Sequence, residues 1–159
     1  MSREIKFRGK SKRTGQWIYG DLLTSPNGLL KYIVQKSNFN GAFLENLAPE
    51  EVEYGSAGEY TGLKDKNGKE ICEGDILKAS SEFKIVLSSG EKVHEPNWEI
   101  MDVIFHEGAF KTVIVNQFNR YFGKLPSKPH HIHADLIAEY DEVIGNIYEN
   151  PELLEDKNV

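Results

Sequence analysis

The stretch Glu59-Tyr60-Thr61-Gly62-Leu63-Lys64-Asp65-Lys66-Asn67-Gly68-Lys69-Glu70-Ile71-Cys72-Glu73-Gly74-Asp75-Ile76-Leu77-Lys78 places two β-like runs on either side of Asn67-Gly68. Asparagine and glycine tolerate the positive φ values of a type I′ turn, so this dipeptide predicts a tight hairpin. A second turn, Glu73-Gly74-Asp75, then feeds the alternating run Ile76-Leu77-Lys78. That entry is frequent in small SH3-like barrels, and the period of two argues for strands rather than a 3.6-residue helical face.

Upstream, Ile5 and Phe7 alternate with Lys6 and Arg8, and a Gly/Ser/Lys segment from Gly9 to Gly15 separates them from Trp17-Ile18-Tyr19. This predicts a hairpin whose second strand continues to Leu23. Ser25-Pro26-Asn27-Gly28 is a turn, and Leu29 to Gln35 a third strand of the same meander. Pro49-Glu50-Glu51-Val52 predicts the start of a short helix with proline at its first position.

Downstream, residues 80–98 read as a long excursion or an extra hairpin, and Glu99–His106 pairs with Ala109–Val115 around Glu107-Gly108. Asn116 to His133 is loop-like, and Ala134 to Glu139 suits one or two helical turns. Glu142 to Tyr148 closes as a strand, Asn150-Pro151 caps a short terminal helix, and Asp156 to Val159 should fray.

These elements predict a β-rich α+β fold, with an N-terminal antiparallel meander packed with a C-terminal SH3-like small barrel and few short helices. At 159 residues the chain suits one domain, 1–159, with sub-lobes of about 1–57 and 58–159. A chain of this length buries about 70% of the surface exposed on unfolding, so one core suffices. The 39% apolar and 28% charged composition is that of a globular protein.

The lone cysteine, Cys72, excludes an intrachain disulfide and any CxxC redox or zinc motif. The opening Met1–Lys6 lacks the apolar run of a signal peptide, and no stretch approaches the roughly 20 apolar residues of a membrane span. The expected location is the cytoplasm of a host cell, with no membrane partner. The net charge of −6 is unevenly spread: residues 1–13 hold six cations against Glu4, a net +5, which leaves −11 for the remainder. Such an arm can seek phosphates, or dock on acidic groups of its own chain or of a second copy.

Three stretches carry a family resemblance: Arg3-Glu4-Ile5-Lys6-Phe7-Arg8; Tyr60 to Ile71 with Glu73-Gly74-Asp75-Ile76; and Val143-Ile144-Gly145-Asn146-Ile147-Tyr148-Glu149-Asn150-Pro151-Glu152-Leu153. Their order and spread resemble the opening, middle and closing signatures of the YopX family over nearly the whole chain. The resemblance implies an origin in phages, prophages or related mobile elements. It implies no activity, cofactor or active site, and no residue role is carried over. One departure is Cys72, where the family commonly has tyrosine; a cysteine that only packs behaves there as a small hydrophobe. The glycines and Asn-Gly of these motifs have a full explanation in turns.

Four groups of residues could carry chemistry. His130, His131, His133 and Asp135 put four metal-ligand types within six residues, the last three sharing one face if extended. A structural zinc site wants four converging ligands, often cysteines, and only His94 and His106 lie elsewhere, so solvated loop histidines are the simpler reading. Asp65-Lys66-Asn67-Gly68 resembles a calcium loop, but its glycine is misplaced for an EF-hand. Carboxylates at Glu50, Glu51, Glu53, Glu59, Asp75, Asp141 and Glu142 could pair for acid–base work only if the fold converged them. There is no GxSxG, P-loop or GxGxxG after a strand. Finally, Lys6, Arg8, Lys10, Lys12 and Arg13 beside Trp17 and Tyr19 could form a basic face with stacking rings. Alternation there sends Phe7 to the core and Lys6 and Arg8 outward.

The leading expectation is a phage or prophage accessory protein that acts by protein association, as a homo-oligomer or with an unknown phage or host protein, without catalysis or cofactor. Exposed strand edges, which need covering or pairing, motivate it. The alternative is a nucleic-acid-binding module using the basic N-terminal hairpin, and the third reading is a metal-dependent enzyme at the histidine loop.

Overall fold

The computed structural model describes residues 4–35, 48–86, 89, 92–119, 123–124, 131–133 and 141–155. They form strands almost throughout, and the chain divides into two compact units, Met1–Gly62 and Leu63–Val159.

The first unit holds β1 (Phe7–Lys10), β2 (Trp17–Thr24), β3 (Lys31–Val34), β4 (Glu50–Glu51) and the start of β5 (Gly58–Lys64), in the antiparallel order β4-β3-β2-β1-β5. The meander read from the sequence is therefore present, with Phe7 opposite Gly20 and Leu23 opposite Tyr32. Glu50-Glu51 is a strand, not the expected helix start. It pairs with β3 on one side, and on the other Lys12 N–H donates to the Glu51 carbonyl (3.0 Å) and Glu53 N–H to the Lys10 carbonyl (2.8 Å). Extended backbone here satisfies both edges and buries Val52, which a helix could not do.

These bonds curl the sheet until β4 meets the end of β1, around a core of Ile18, Ile33 and Val52 flanked by Phe7, Leu22 and Ala57. Two glycines permit the curl. A Cβ at Gly20 would lie 1.9 Å from the Val34 carbonyl oxygen, and one at Gly9 2.6 Å from Val52 Cγ1. Glycine inside a strand marks such close approach.

In the second unit β5 runs on to Lys64, turns, and pairs with β6 (Glu70–Cys72). The turn is tight as expected, but its type differs. Gly68 has φ of 82°, whereas the only non-glycine with positive φ among the described residues is Glu107. The carboxylate of Asp65 holds Asn67 in ordinary backbone space by accepting the Asn67 and Lys69 N–H groups. The two-residue turn with positive φ at both positions falls instead at Glu107-Gly108 (53° and 77°).

The remaining strands are β7 (Asp75–Val86), β8 (Lys92–His106), β9 (Ala109–Asn119), β10 (Gly123–Lys124), β11 (His131–His133) and β12 (Asp141–Asn146). Their order is β10-β9-β8-β7-β12, with β11 also beside β9. Residues 80–86 and 92–98 are the long arm of the β7–β8 hairpin, paired continuously from Ile76–Asp102 to Val86–Lys92. Residues 116–119, 123–124 and 131–133, expected as loop, are strands: β9 runs to Asn119, and two short strands follow. Their polar sequence hides strands that depend on pairing with β8 and β9. The core is Ile71, Leu77, Met101, Val103, Ile114 and Val143.

The path of paired strands in this unit is open among the described residues, from β10 to β12, so an SH3-like barrel is not established. Pro151–Leu153 is a single 3-10 turn with proline at its start. Asn150 does not cap it through its side chain; its Oδ1 accepts the Asn146 N–H at 3.4 Å. The helical turns expected at 134–139 and the frayed end at 156–159 lie outside the described residues.

Candidate functional site

Alternation along β1 and β2 brings Lys6, Arg8, Lys10, Trp17 and Tyr19 to the face of the first sheet opposite the core. The fold thus gathers five of the seven basic and aromatic candidates, but it does not leave them all in water. The Arg8 guanidinium lies 4.9 Å from the Trp17 ring centroid, and Arg8 is only 7% exposed. Lys6 Nζ sits between two rings, 5.8 Å from that of Tyr19 and 5.0 Å from that of Tyr60. The outward Arg8 of the sequence reading is corrected: it leaves the core side yet is covered on the other. A planar, weakly hydrated guanidinium tolerates an aromatic cover better than an ammonium does.

Lys12 and Arg13 lie in the β1–β2 turn and are drawn to β4. Lys12 pairs with Glu51, and Arg13 Nη2 donates to both carboxylate oxygens of Glu50 at 3.1 and 3.2 Å. The fully buried Ser11 hydroxyl donates to Glu50 and accepts the Thr14 N–H at 3.0 Å. The Ser11 hydrogen bond, and then Arg13, holds the Glu50 carboxyl below the usual range against some desolvation. The Glu51 contact raises Lys12. The signal for this clasp was present as a basic pair, Lys12-Arg13, and an acidic pair, Glu50-Glu51, but nothing in the spacing linked them.

Sequence reasoning also missed an apolar end of this unit. Leu23, Leu29 (64% exposed), Leu30 and Tyr54 (85% exposed) all face solvent. The turn that carries the leucines is ordered by its own side chains. Ser25 Oγ accepts the Leu30 N–H (2.9 Å) and donates to Asn27 Oδ1 (2.6 Å), which also accepts the Leu29 N–H (3.1 Å). Val52 N–H donates to the Lys31 carbonyl, so the chain leaving β4 through Glu53 and Tyr54 heads toward this same end. Ser56 fixes the Tyr54-Gly55 bend by donating its hydroxyl to the Glu53 carbonyl (2.8 Å) and accepting the Lys10 N–H (3.0 Å).

In the second unit the polar residues of the signature stretches hold the scaffold. Asp65 accepts N–H groups from Asn67 (2.8 Å), Lys69 (2.9 Å) and, through its other oxygen, Val143 (3.0 Å). Burial pushes this carboxyl up, but the Val143, Lys69 and Asn67 N–H groups outweigh it and hold Asp65 below the usual range. Asp75 accepts the Cys72 N–H at 2.8 Å, and Cys72 is itself buried. Asn146 Oδ1 accepts the Tyr148 and Glu149 N–H groups. Two carboxyls move the other way: burial raises Asp102 and Asp141 to about 6 each, against the Val103 N–H in the first and Lys66 in the second, with Glu73 and Glu99 respectively adding to the rise.

His130 and Asp135 lie outside the described residues, and the backbone of β11 sets His131 opposite Val113 and His133 opposite Lys111. Among the described residues no three His, Cys, Asp or Glu side chains are grouped to hold a metal ion, and no helix is long and apolar enough to cross a membrane.

The chain is similar to the crystal structure of protein EF1440 from Enterococcus faecalis, with 22% identity and a TM-score of 0.49 over 97% of this chain and 100% of that one. No curated protein matches it. The family model described as YopX protein matches residues 6–155, nearly the full length, and the chain therefore belongs to the YopX family.

Proposed function

We propose that this protein acts by association with other protein chains, with a second copy of itself as the first partner, as a phage or prophage accessory protein in the cytoplasm of a host cell. The observation that supports this reading is the apolar end of the first unit. Leu23, Leu29, Leu30 and Tyr54 are solvent-exposed, while the hydrogen bonds of Ser25, Asn27 and Ser56 hold their backbone in place. Fully covering an exposed leucine side chain is worth about 1.5–3 kcal/mol, and an ordered backbone loses little entropy on binding. An exposed tyrosine such as Tyr54 is a common anchor at the centre of an interface.

The test is light scattering on untagged protein and on a Leu29→Ser, Leu30→Ser variant. A defined oligomer that the variant converts to monomer, with thermal stability unchanged, supports the reading. A wild-type monomer throughout the concentration range overturns the self-association arm.

One observation favours a second reading, nucleic-acid binding: Lys6, Arg8, Lys10, Trp17 and Tyr19 share one sheet face. It ranks lower because Lys6 and Arg8 lie against rings of their own unit and Lys12 and Arg13 against its carboxylates. Binding to single-stranded DNA that weakens steeply with salt, and is lost in Lys10→Glu with Arg13→Glu, would raise it above association.

A further inference from the structure

Asp102 stands in the middle of β8 with Ile76 of β7 on one side and Val113 of β9 on the other. Ile100 and Ile104, two residues away along the strand, share its face. Ile76 and Ile100 are buried and Ile104, Val113 and Asp102 itself half-buried, so the carboxylate is flanked by an apolar ring that leaves it partly open to solvent. Its Oδ1 is sealed from solvent and meets no hydrogen-bond donor among the described residues.

Among the described residues the charged groups around that ring are few. Lys78 lies diagonally on β7, opposite Ile100, and Lys111 diagonally on β9, opposite Ile104, where its Nζ is 2.6 Å from Glu107 Oε2 and 3.4 Å from His106 Nδ1. On β12 the residue opposite Ile76 is Gly145, which carries no charge. Beyond Val113, β11 sets His131 on the next strand. The Val103 N–H favours the charged form of Asp102, while the Glu73 carboxylate in the β6–β7 turn opposes it in the same direction as burial, and burial prevails.

That turn joins two parts of the unit. Gly74 N–H donates to the carbonyl of Val103, the residue next to Asp102, at 2.8 Å, and the Gly74 carbonyl accepts the Ile147 N–H from the end of β12 at 2.9 Å. We propose that Asp102 is a proton-controlled lock on the Glu73-Gly74 turn: neutral, it lets the turn stay seated between β8 and the end of β12, and ionised, it loosens that seat. A proton on Asp102 removes both the cost of a charge in the isoleucine ring and the repulsion from Glu73. Losing the proton restores both, and opening the turn relieves them by admitting water.

The sign follows from linkage. Asp102 binds its proton more tightly in the closed turn than in the open one, so closure is favoured below the ordinary aspartate range and that advantage is lost as pH rises through about 6. The experiment is amide hydrogen exchange at Gly74 and Ile147 on the full chain, corrected for the intrinsic pH dependence of exchange. Protection should fall roughly fivefold between about pH 5 and pH 7.5, after discounting the linkage for residual solvent contact. Asp102→Asn should keep the acid-side protection at the higher pH, and Glu73→Gln should shrink the fall. Equal protection at both pH values in the wild type, or an unaltered fall in Asp102→Asn, overturns the lock. Should Asp102→Asn not fold, carbon-detected titration of the Asp102 carboxyl in the wild type decides: a midpoint above about 5 supports the proposal and one in the ordinary aspartate range overturns it.

Discussion

The two units use charge in opposite ways. In the first, Lys12, Arg13, Glu50 and Glu51 pair near the surface around one hydroxyl, and two cations lie against aromatic rings. In the second, Asp65, Asp102 and Asp141 are carboxylates withdrawn from water, one rewarded with three N–H groups and two left poorly compensated. The same residue type is thus pushed to opposite sides of its ordinary range according to how many N–H donors accompany its burial: three for Asp65, and for Asp102 the Val103 N–H, which burial outweighs. The first unit should respond weakly to charge removal, and the second strongly to a lost carboxylate and to pH.

The sharpest break of this comparison is Asp65→Ala. It strips acceptors from three buried or half-buried N–H groups at once, and should cost the second unit about 3–5 kcal/mol by chemical denaturation. Asp65→Asn should cost less, since an amide keeps one accepting oxygen. A loss below about 1 kcal/mol would mean that water replaces the carboxylate and that the two units do not differ as described.

The next effect is the pH profile. Asp102 and Asp141, both raised to about 6, favour the folded second unit as pH falls through that value, whereas Asp65, held low, contributes stability that is lost as pH falls through its depressed range. Exchange protection in β8 and β9 should therefore peak on the acid side of neutrality. The gain from about pH 7.5 to 5 should be on the order of 1 kcal/mol for each raised carboxyl, and Asp141→Asn should remove its share. A profile that declines steadily from neutrality would contradict this.

The smallest effect belongs to the clasp of the first unit. Arg13→Gln and Lys12→Gln should each leave stability almost unchanged, and wholly so in high salt, because exposed ion pairs are screened. A loss of several kcal/mol on either change would show that the clasp, rather than the Ile18–Ile33–Val52 core, holds β4 in place.

Much of the strand plan was legible. Phe7 to Leu23, the turn at Ser25–Gly28 and the hairpins around Asn67-Gly68 and Glu107-Gly108 follow from alternation and turn chemistry within a few residues. The misreadings share one cause. Pro49-Glu50-Glu51 has a good helix start locally, yet Val52 is needed in a core and its neighbours in two ladders. Asn116–Asn119 reads as loop until β8 offers it partners. Of the candidate site, the identities of the basic and aromatic residues were visible, but their accessibility was not. Arg8 looked outward by period alone, and only the position of Trp17 across the hairpin covers it. The exposed Leu29 and Leu30 flank a recognisable turn, yet leucines there read equally well as the buried start of a strand.

By itself the sequence determined the strand-rich class, the principal turns, the family and the uneven charge, because each depends on residues adjacent along the chain or on composition alone. The tertiary structure decided which charges meet and which are hidden. Arg13 finds Glu50 across 37 positions, and Asp65 finds the Val143 N–H across 78. Contacts at such separations are set by strand register and by the curl of a sheet, and no local pattern of side chains encodes them.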